Sequence, residues 1–262
     1  MPHIPSVVGL SDVGKTRTRN EDSLSLVPEL GVAVVADGMG GHPGGDVASR
    51  IAASTAAKTL AEELEAGASQ HDDATTRLSV AMRRSVIRAH QEIRAEGERE
   101  PDLDGMGTTI TALVVDPETD VYVLGHVGDS RAYRWRGGKL TQLTRDDTWV
   151  QERVEAQVLT LEQARRHPFA HLLTQCLGLD DAPTPHILHG SVEVGDAFLL
   201  CTDGLVGMVE DEALEQILLR ELGENGAAGE AGEHALQALL DAANEAGGHD
   251  NITAVLLTVG AK

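Results

Sequence analysis

Apolar and polar positions alternate in two ways along this chain, and each pattern predicts its own kind of element. Residues 6–10, 23–27 and 32–36 are short apolar runs bounded by turn residues, and they predict three strands. Within 46–64 and 74–96 apolar residues recur every three or four positions, which predicts two helices. The chain therefore begins with strands and continues with a helix pair.

The same two patterns return in the rest of the chain. Further strands are predicted at 108–115, 121–126, 132–136, 140–143, 187–192, 198–202 and 252–259. Further helices are predicted at 210–221 and 233–246. Gly137-Gly138 predicts a hairpin turn, so we expect residues 108–143 to form an antiparallel meander. We also expect the strands at 187–192 and 198–202 to be a pair.

Strands and helices occur in blocks rather than in strict alternation. This order predicts an α+β fold in which two mainly antiparallel sheets carry helices, with two helical layers. No hydrophilic linker divides the chain, so residues 1–262 are predicted to be one domain. Residues 145–185 are irregular and rich in charge, histidine and proline. They are either a flap over a site or a plain surface excursion.

The charge balance narrows the range of partners. The formal net charge is −21, with 42 acidic against 21 basic residues, so nucleic acid and anionic membrane surfaces would be repelled. Cationic partners, metal ions included, are favoured. The alternative is that the acidity only keeps the protein in solution. The role of each aspartate must therefore be inferred from its position in the sequence rather than from the net charge.

The two cysteines and the lack of export signals indicate a cytoplasmic protein. No basic segment with an apolar stretch stands at the amino terminus, and no apolar window approaches the length of a membrane span. Cys176 and Cys201 lie in apolar surroundings that suit buried, reduced thiols. Neither cysteine belongs to a Cys-x5-Arg motif, because Ala182 and Gly207 stand six positions after Cys176 and Cys201.

Four aspartates stand at the ends of apolar runs: Asp37, Asp129, Asp203 and Asp250. Each alone could belong to a turn, since Asp-Gly is a common hairpin turn. The segments after Asp37 and Asp203 do not alternate as a returning strand would, however. Carboxylate oxygens suit Mg²⁺ or Mn²⁺, and a neighbouring glycine such as Gly38 allows a backbone carbonyl to join the ligands.

A second candidate element lies at residues 14–22. Arg17 offers a planar, bidentate grip on phosphate, and Glu21 and Asp22 could support a metal site. The alternative is a solvated surface of mixed charge, and spacing alone does not decide between the two.

Taken together, these motifs resemble the PPM, or type 2C, metal-dependent protein phosphatases in their compact bacterial form. The resemblance covers essentially the whole chain. It rests on Arg17-x-x-Asn20-Glu21-Asp22, Val35-Ala36-Asp37-Gly38-Met39-Gly40-Gly41-His42, Ala48-Ser49, Gly107-Thr108-Thr109, Val127-Gly128-Asp129-Ser130-Arg131, Leu199-Leu200-Cys201-Thr202-Asp203-Gly204-Leu205 and Asp250-Asn251-Ile252-Thr253.

The resemblance implies a four-layer α-β-β-α sandwich with two core Mn²⁺ or Mg²⁺ ions in a cleft at one end of the sheets. It implies that Asp37 bridges the two ions and that Gly38 gives its carbonyl to one of them. Asp203 and Asp250 would bind the other ion, and Glu21 would act through water.

The resemblance also implies a mechanism. A water shared by the two cations attacks phosphorus in line, without a covalent enzyme intermediate, while Arg17 holds the phosphate. Asp129, together with Asp203, matches the position of a third, weaker ion. The implied substrates are phosphoserine and phosphothreonine proteins, and we expect a monomer that opposes cytoplasmic Ser/Thr kinases. The alternative is a catalytically weak, phosphoprotein-binding regulator of the same fold.

Some positions depart from the family pattern. His171 stands where some relatives have a flap serine, so it is either a ligand of the third ion or an ordinary solvated histidine. Gln175 replaces an arginine, and Met39 stands where animal members have a histidine. His42 is then a candidate general acid or a structural residue. His126, on the strand before Asp129, is expected to be a packing residue.

Overall fold

The computed structural model describes residues 3–39, 44–66, 73–116, 118–179, 181–226 and 229–261. The strands in these ranges are β1 (His3–Asp12), β2 (Asp22–Val27), β3 (Val32–Asp37), β4 (Ile110–Asp116), β5 (Val121–Val127), β6 (Arg131–Arg136), β7 (Lys139–Gln142), β8 (His186–Ser191), β9 (Ala197–Cys201) and β10 (Ile252–Ala261). The α-helices are α1 (Gly45–Glu65), α2 (Ala74–Arg99), α3 (Trp149–Glu155), α4 (Leu161–Arg165), α5 (Asp203–Val206), α6 (Asp211–Leu222) and α7 (Glu230–Glu245).

The strands form two antiparallel sheets of five strands each. The first sheet has the order β1-β10-β9-β6-β7, and the second has the order β2-β3-β4-β5-β8. Gly137 and Gly138, with φ of 57° and 78°, form the tight turn between β6 and β7, which confirms the predicted hairpin.

The predicted meander over residues 108–143 is wrong, because its strands belong to different sheets. β5 pairs with β4 and β8, whereas β6 pairs with β7 and β9. Between β5 and β6 the chain crosses from one sheet to the other at Gly128, whose φ is 108°. The strand pair expected at 187–202 is wrong for the same reason, since β8 and β9 lie in different sheets. In both cases, strands that are distant in the sequence take the place of the predicted neighbour.

Three apolar clusters hold four layers together. One lies between the second sheet and the pair α1 and α2, around Leu60, Met82 and Ile110. A second packs α6 and α7 on the first sheet and contains Trp135. The third lies between the sheets and contains Phe198. The layers are thus α-β-β-α, which confirms the predicted α+β fold.

Residues 145–185 carry two short helices. Thr148 caps α3, and a capping box between Thr160 and Gln163 begins α4. The outgoing and returning ends of the segment meet, because the Trp149 amide donates to the Leu172 carbonyl over 2.8 Å. None of the helices in the described part of the chain has the length and apolar character needed to cross a bilayer.

A buried hydroxyl group joins β6 to α6. The Tyr133 hydroxyl donates to Asp211 Oδ1 over 3.0 Å and accepts from Arg131 over 3.2 Å. We expect Tyr133→Phe to lower the free energy of unfolding by about 1–2 kcal/mol, because two charged groups lose a partner. Urea unfolding of both proteins checks this, and an unchanged midpoint and slope would contradict it.

Candidate metal centre

Five aspartates converge at one end of the sandwich because their strands end or begin there. Asp37 is the last residue of β3, and Asp22, the first residue of β2, lies directly opposite it. Asp129 lies in the crossing between β5 and β6, Asp203 follows β9, and Asp250 precedes β10. All four strand-end aspartates singled out in the sequence are therefore part of one group.

Asp37 lies at the centre of this group. Burial raises the pKa of its carboxyl well above the ordinary value, and the nearby charges of Asp22, Asp203 and Asp129 raise it further. A side-chain hydrogen bond with Asp203 also favours the protonated form. The carboxyl groups of Asp37 and Asp203 thus lie close enough for their negative charges to repel each other.

The sequence predicted Asp22 only as possible support for a metal site, yet its side chain is one of the most deeply buried acids in the described residues. Burial, followed by repulsion from Asp203 and Asp250, raises its pKa from 3.8 to about 7, although two hydrogen bonds oppose the rise. One of these comes from the Thr202 hydroxyl, 2.8 Å from Asp22 Oδ2. Thr202 is 180 positions away in the sequence, so spacing gave no signal for this contact.

Asp129 has a similar environment on the other side of the group. Burial raises the pKa of its carboxyl well above the ordinary value, and the charges of Asp203 and Asp146 add to the effect. His171 opposes it. Asp146, which the sequence analysis did not single out, is held by Arg131 through an ion pair of 2.7 Å. The only sequence signal for it is the acidic pair at 146–147, a few residues after β7.

Hydrogen bonds from the backbone and from threonines hold the turn at Asp37 in place. The Thr108 hydroxyl donates to the Asp37 carbonyl over 2.7 Å, and the Asp37 amide donates to Thr109 Oγ1 over 3.0 Å. The Gly38 amide donates to the Glu21 carbonyl over 3.1 Å. A Cβ atom at Gly38 would overlap the Gly45 carbonyl oxygen, so only glycine fits.

Arg17 reaches the group from the edge. Its Nη2 lies 2.8 Å from Asp250 Oδ2, and both side chains are more than a third exposed. The neighbouring backbone is fixed by Asn251, whose Oδ1 accepts from the Glu21 amide over 2.8 Å and whose Nδ2 donates to the Arg19 carbonyl. The arginine is therefore beside the carboxylates and accessible to a ligand in solution.

His171 extends from the 145–185 segment to the same group. Its Nδ1 lies 3.6 Å from Asp203 Oδ2. Contact with Asp203, and then the charges of Asp129 and Asp250, raise the histidine pKa above its ordinary value. The imidazole is 82% exposed, so its position depends on Asp203 rather than on packing.

The other departures from the family pattern lie elsewhere. Gln175 accepts a hydrogen bond from the Thr184 amide over 2.9 Å, inside the 145–185 segment. His126 is fully buried and hydrogen bonds to Thr111 and to the Arg145 carbonyl, in agreement with the predicted packing role. His42 lies outside the described residues.

The chemistry of the group fits divalent cations. Its donors are oxygens, and its buried charges repel one another, so hard cations would relieve the repulsion. No three His, Cys, Asp or Glu side chains in the described ranges already surround a common point as one ion requires. In this arrangement Asp250 pairs with Arg17, and Asp203 lies beside His171.

Comparison with known proteins identifies the family. Residues 15–242 match the family described as protein phosphatase 2C, and the chain belongs to that family. It is 38% identical over 251 residues to the serine/threonine protein phosphatase PstP of Mycobacterium tuberculosis, covering 95% of this chain and 44% of that protein. It thus spans less than half the length of PstP.

Relatives of about the same length also match. The chain is 33% identical over 260 residues to the serine/threonine phosphatase stp of Listeria monocytogenes, covering 94% of this chain and 93% of that protein. The structure of the catalytic domain of PstP in complex with two manganese ions superposes with a TM-score of 0.80 at 33% identity, covering 99% of this chain and 100% of that one.

Proposed function

We propose that this protein is a metal-dependent phosphatase that hydrolyses phosphoserine and phosphothreonine in proteins. The observation that carries the proposal is the group of converging, mutually repelling carboxylates beside an accessible arginine. The named activity of the full-length Listeria relative and the manganese in the PstP structure support it. A cysteine nucleophile is disfavoured, because both thiols are buried, which raises the pKa of each, and neither has an arginine six positions after it.

Two Mn²⁺ or Mg²⁺ ions are the cofactors that this group would hold. Asp37 would bridge them, with the Gly38 carbonyl on one ion and Asp203 and Asp250 on the other, while Glu21 would act through water. Such a pair supplies a water of lowered pKa and a clamp for phosphate oxygens. A third, weaker ion would lie between Asp129 and Asp203.

The side chains around the ions have separate tasks in this proposal. Arg17 exchanges its partner Asp250 for the substrate phosphate, which its guanidinium grips in bidentate fashion. The Thr108 and Thr109 contacts keep Asp37 in one orientation, so that substrate binding requires little rearrangement. Asp22, directly opposite Asp37 on the neighbouring strand and held by the Thr202 hydroxyl, would add to the negative charge that attracts the cations.

His171 is proposed as the flap ligand of the third ion. We expect His171→Ala to raise the Mn²⁺ concentration that fills the weakest site by about tenfold, because one contact to the Asp203 side of the site is lost. Calorimetric Mn²⁺ titration of both proteins measures this. An unchanged weakest site would show that His171 is an ordinary solvated histidine.

The biological setting is part of the proposal. Residues 145–185 act as a flap of a single domain, and the substrates include Ser/Thr kinases and the proteins that they phosphorylate. The protein acts as a monomer in the cytoplasm, where its two buried thiols stay reduced. Light scattering checks the monomer, and dephosphorylation of an autophosphorylated kinase checks the substrate class.

The activity itself is tested by phosphate release from phosphothreonine and phosphoserine peptides in Mn²⁺, in Mg²⁺ and in EDTA. A variant with both Cys176→Ser and Cys201→Ser is the control for thiol chemistry. We expect release that needs a metal and survives in the control. Folded protein that releases no phosphate under any condition would overturn the enzyme and favour a phosphoprotein-binding regulator.

A further inference from the structure

Asp147 is a fully buried acid outside the group of metal-site aspartates. Its carboxylate accepts from the Gly128 amide over 3.1 Å and lies 2.8 Å from His186 Nε2 and 3.4 Å from Arg145. Its own amide donates to the Gly128 carbonyl over 2.7 Å. The side chain is 1% exposed, so these contacts replace water completely.

The contacts of Asp147 join two parts of the molecule that both reach the proposed metal site, which are the Asp129 turn and the 145–185 segment. Gly128 directly precedes Asp129, and its left-handed backbone is packed against Thr109, so the turn has little freedom of its own. The Asp147 carbonyl accepts from the Thr174 amide over 2.7 Å, three residues after His171. One residue thus ties the Asp129 turn to both ends of the 145–185 segment.

We propose that Asp147 is a positioning residue that fixes Asp129 and the returning end of the 145–185 segment relative to each other. The role in catalysis rests on the proposed function, but the mechanical coupling does not. Asp147 reaches no substrate or ion itself; it acts through the Gly128 and Thr174 backbone. Arg145 compensates its charge, and the contacts with His186 and the Gly128 amide give its oxygens polar partners, which together allow the carboxylate to be buried at this junction.

Hydrogen exchange in the metal-free full chain tests the coupling directly. In Asp147→Ala we expect faster exchange in residues 126–133, because the Gly128 amide loses its carboxylate acceptor. We expect a smaller increase in residues 171–178, because the Thr174 amide keeps its bond to the carbonyl of residue 147 but that backbone is no longer held by the buried carboxylate. The control is Asp196→Ala. Asp196 is equally buried, but it pairs with Arg136 at a different place in the fold, so its loss is expected to leave both segments protected.

Metal binding gives the second measurement. In Asp147→Ala we expect the weakest Mn²⁺ site to lose about tenfold or more in affinity while the core sites change little, as is typical for supporting residues. If Asp147→Ala does not fold, Asp147→Asn is compared with Asp196→Asn instead. We then expect a partial loss of protection in Asp147→Asn. Unchanged exchange at 126–133, or equal loss in the Asp196 variant, would overturn the proposal whether or not the protein hydrolyses phosphopeptides.

Discussion

Asp37→Asn is expected to lower phosphopeptide turnover at least about 100-fold, since even supporting residues of metal sites cost 10–100-fold and Asp37 is proposed as the ligand that both ions share. The same change is expected to stabilise the metal-free protein. Burial and three neighbouring acids disfavour the Asp37 charge, and asparagine removes that charge at nearly the same volume. Loss of activity with a gain in stability separates a functional carboxylate from a structural one.

Asp196→Asn is the matched control for this experiment. Asp196 is also buried, but Arg136 holds it with two bonds of 2.6 Å, so its charge is compensated. We expect this variant to lose stability and keep turnover. Steady-state phosphate release in Mn²⁺ and urea unfolding in EDTA give both quantities for both variants. If Asp37→Asn kept its turnover, or destabilised the metal-free protein, the bridging role would be wrong.

The metal-free protein is expected to lose stability as the pH rises from about 4 to about 8. The folded-state pKa of Asp22 is raised from 3.8 to about 7, so its favourable contribution is complete below pH 4 and lost as the pH passes 7. A shift of that size corresponds to roughly 4 kcal/mol, at 1.36 kcal/mol per pKa unit. The contribution of Asp37 has the same sign.

Urea unfolding in EDTA across this pH range measures the effect, and Asp22→Asn isolates it. The difference in unfolding free energy between wild type and Asp22→Asn is expected to shift in favour of the variant as the pH rises. Saturating Mn²⁺ should reverse the pH trend of the wild type, because cations bind the ionised carboxylates. A metal-free wild type that becomes more stable at pH 8 than at pH 5 would contradict the proposed electrostatics.

The hydrophobic pattern was sufficient for the strands and for the long helices, and it predicted two sheets with two helical layers. It did not predict α3 and α4, which lie in the segment 145–185 that it marks as irregular. Strands such as β3, whose side chains are buried on both faces, read as continuous apolar runs, and α2 shows a clear helical period. The same pattern could not assign strands to sheets. β5 and β6 look like neighbours in a meander, and only the crossing at Gly128 separates them.

The residues of the candidate site also divide into those that the sequence pattern could identify and those that it could not. Asp37, Asp203 and Asp250 could be found because each stands where an apolar run ends or begins. The sequence could not distinguish Asp22, Asp146 and Asp147 from other acidic residues, because their importance comes from contacts between distant parts of the chain. The Thr202 hydroxyl that holds Asp22 comes from the other sheet, and His186, which pairs with Asp147, is 39 positions away. Neither contact can be inferred from the spacing of residues along the chain.

The most direct test of the central claim is a crystal structure grown with Mn²⁺, in which anomalous scattering locates the ions. We predict two strong peaks at Asp37, one shared with Asp203 and Asp250 and the other beside the Gly38 carbonyl. A weaker third peak is predicted between Asp129 and Asp203. Manganese bound elsewhere, with no peak at Asp37 and Asp203, would contradict the assignment of this group as the metal centre.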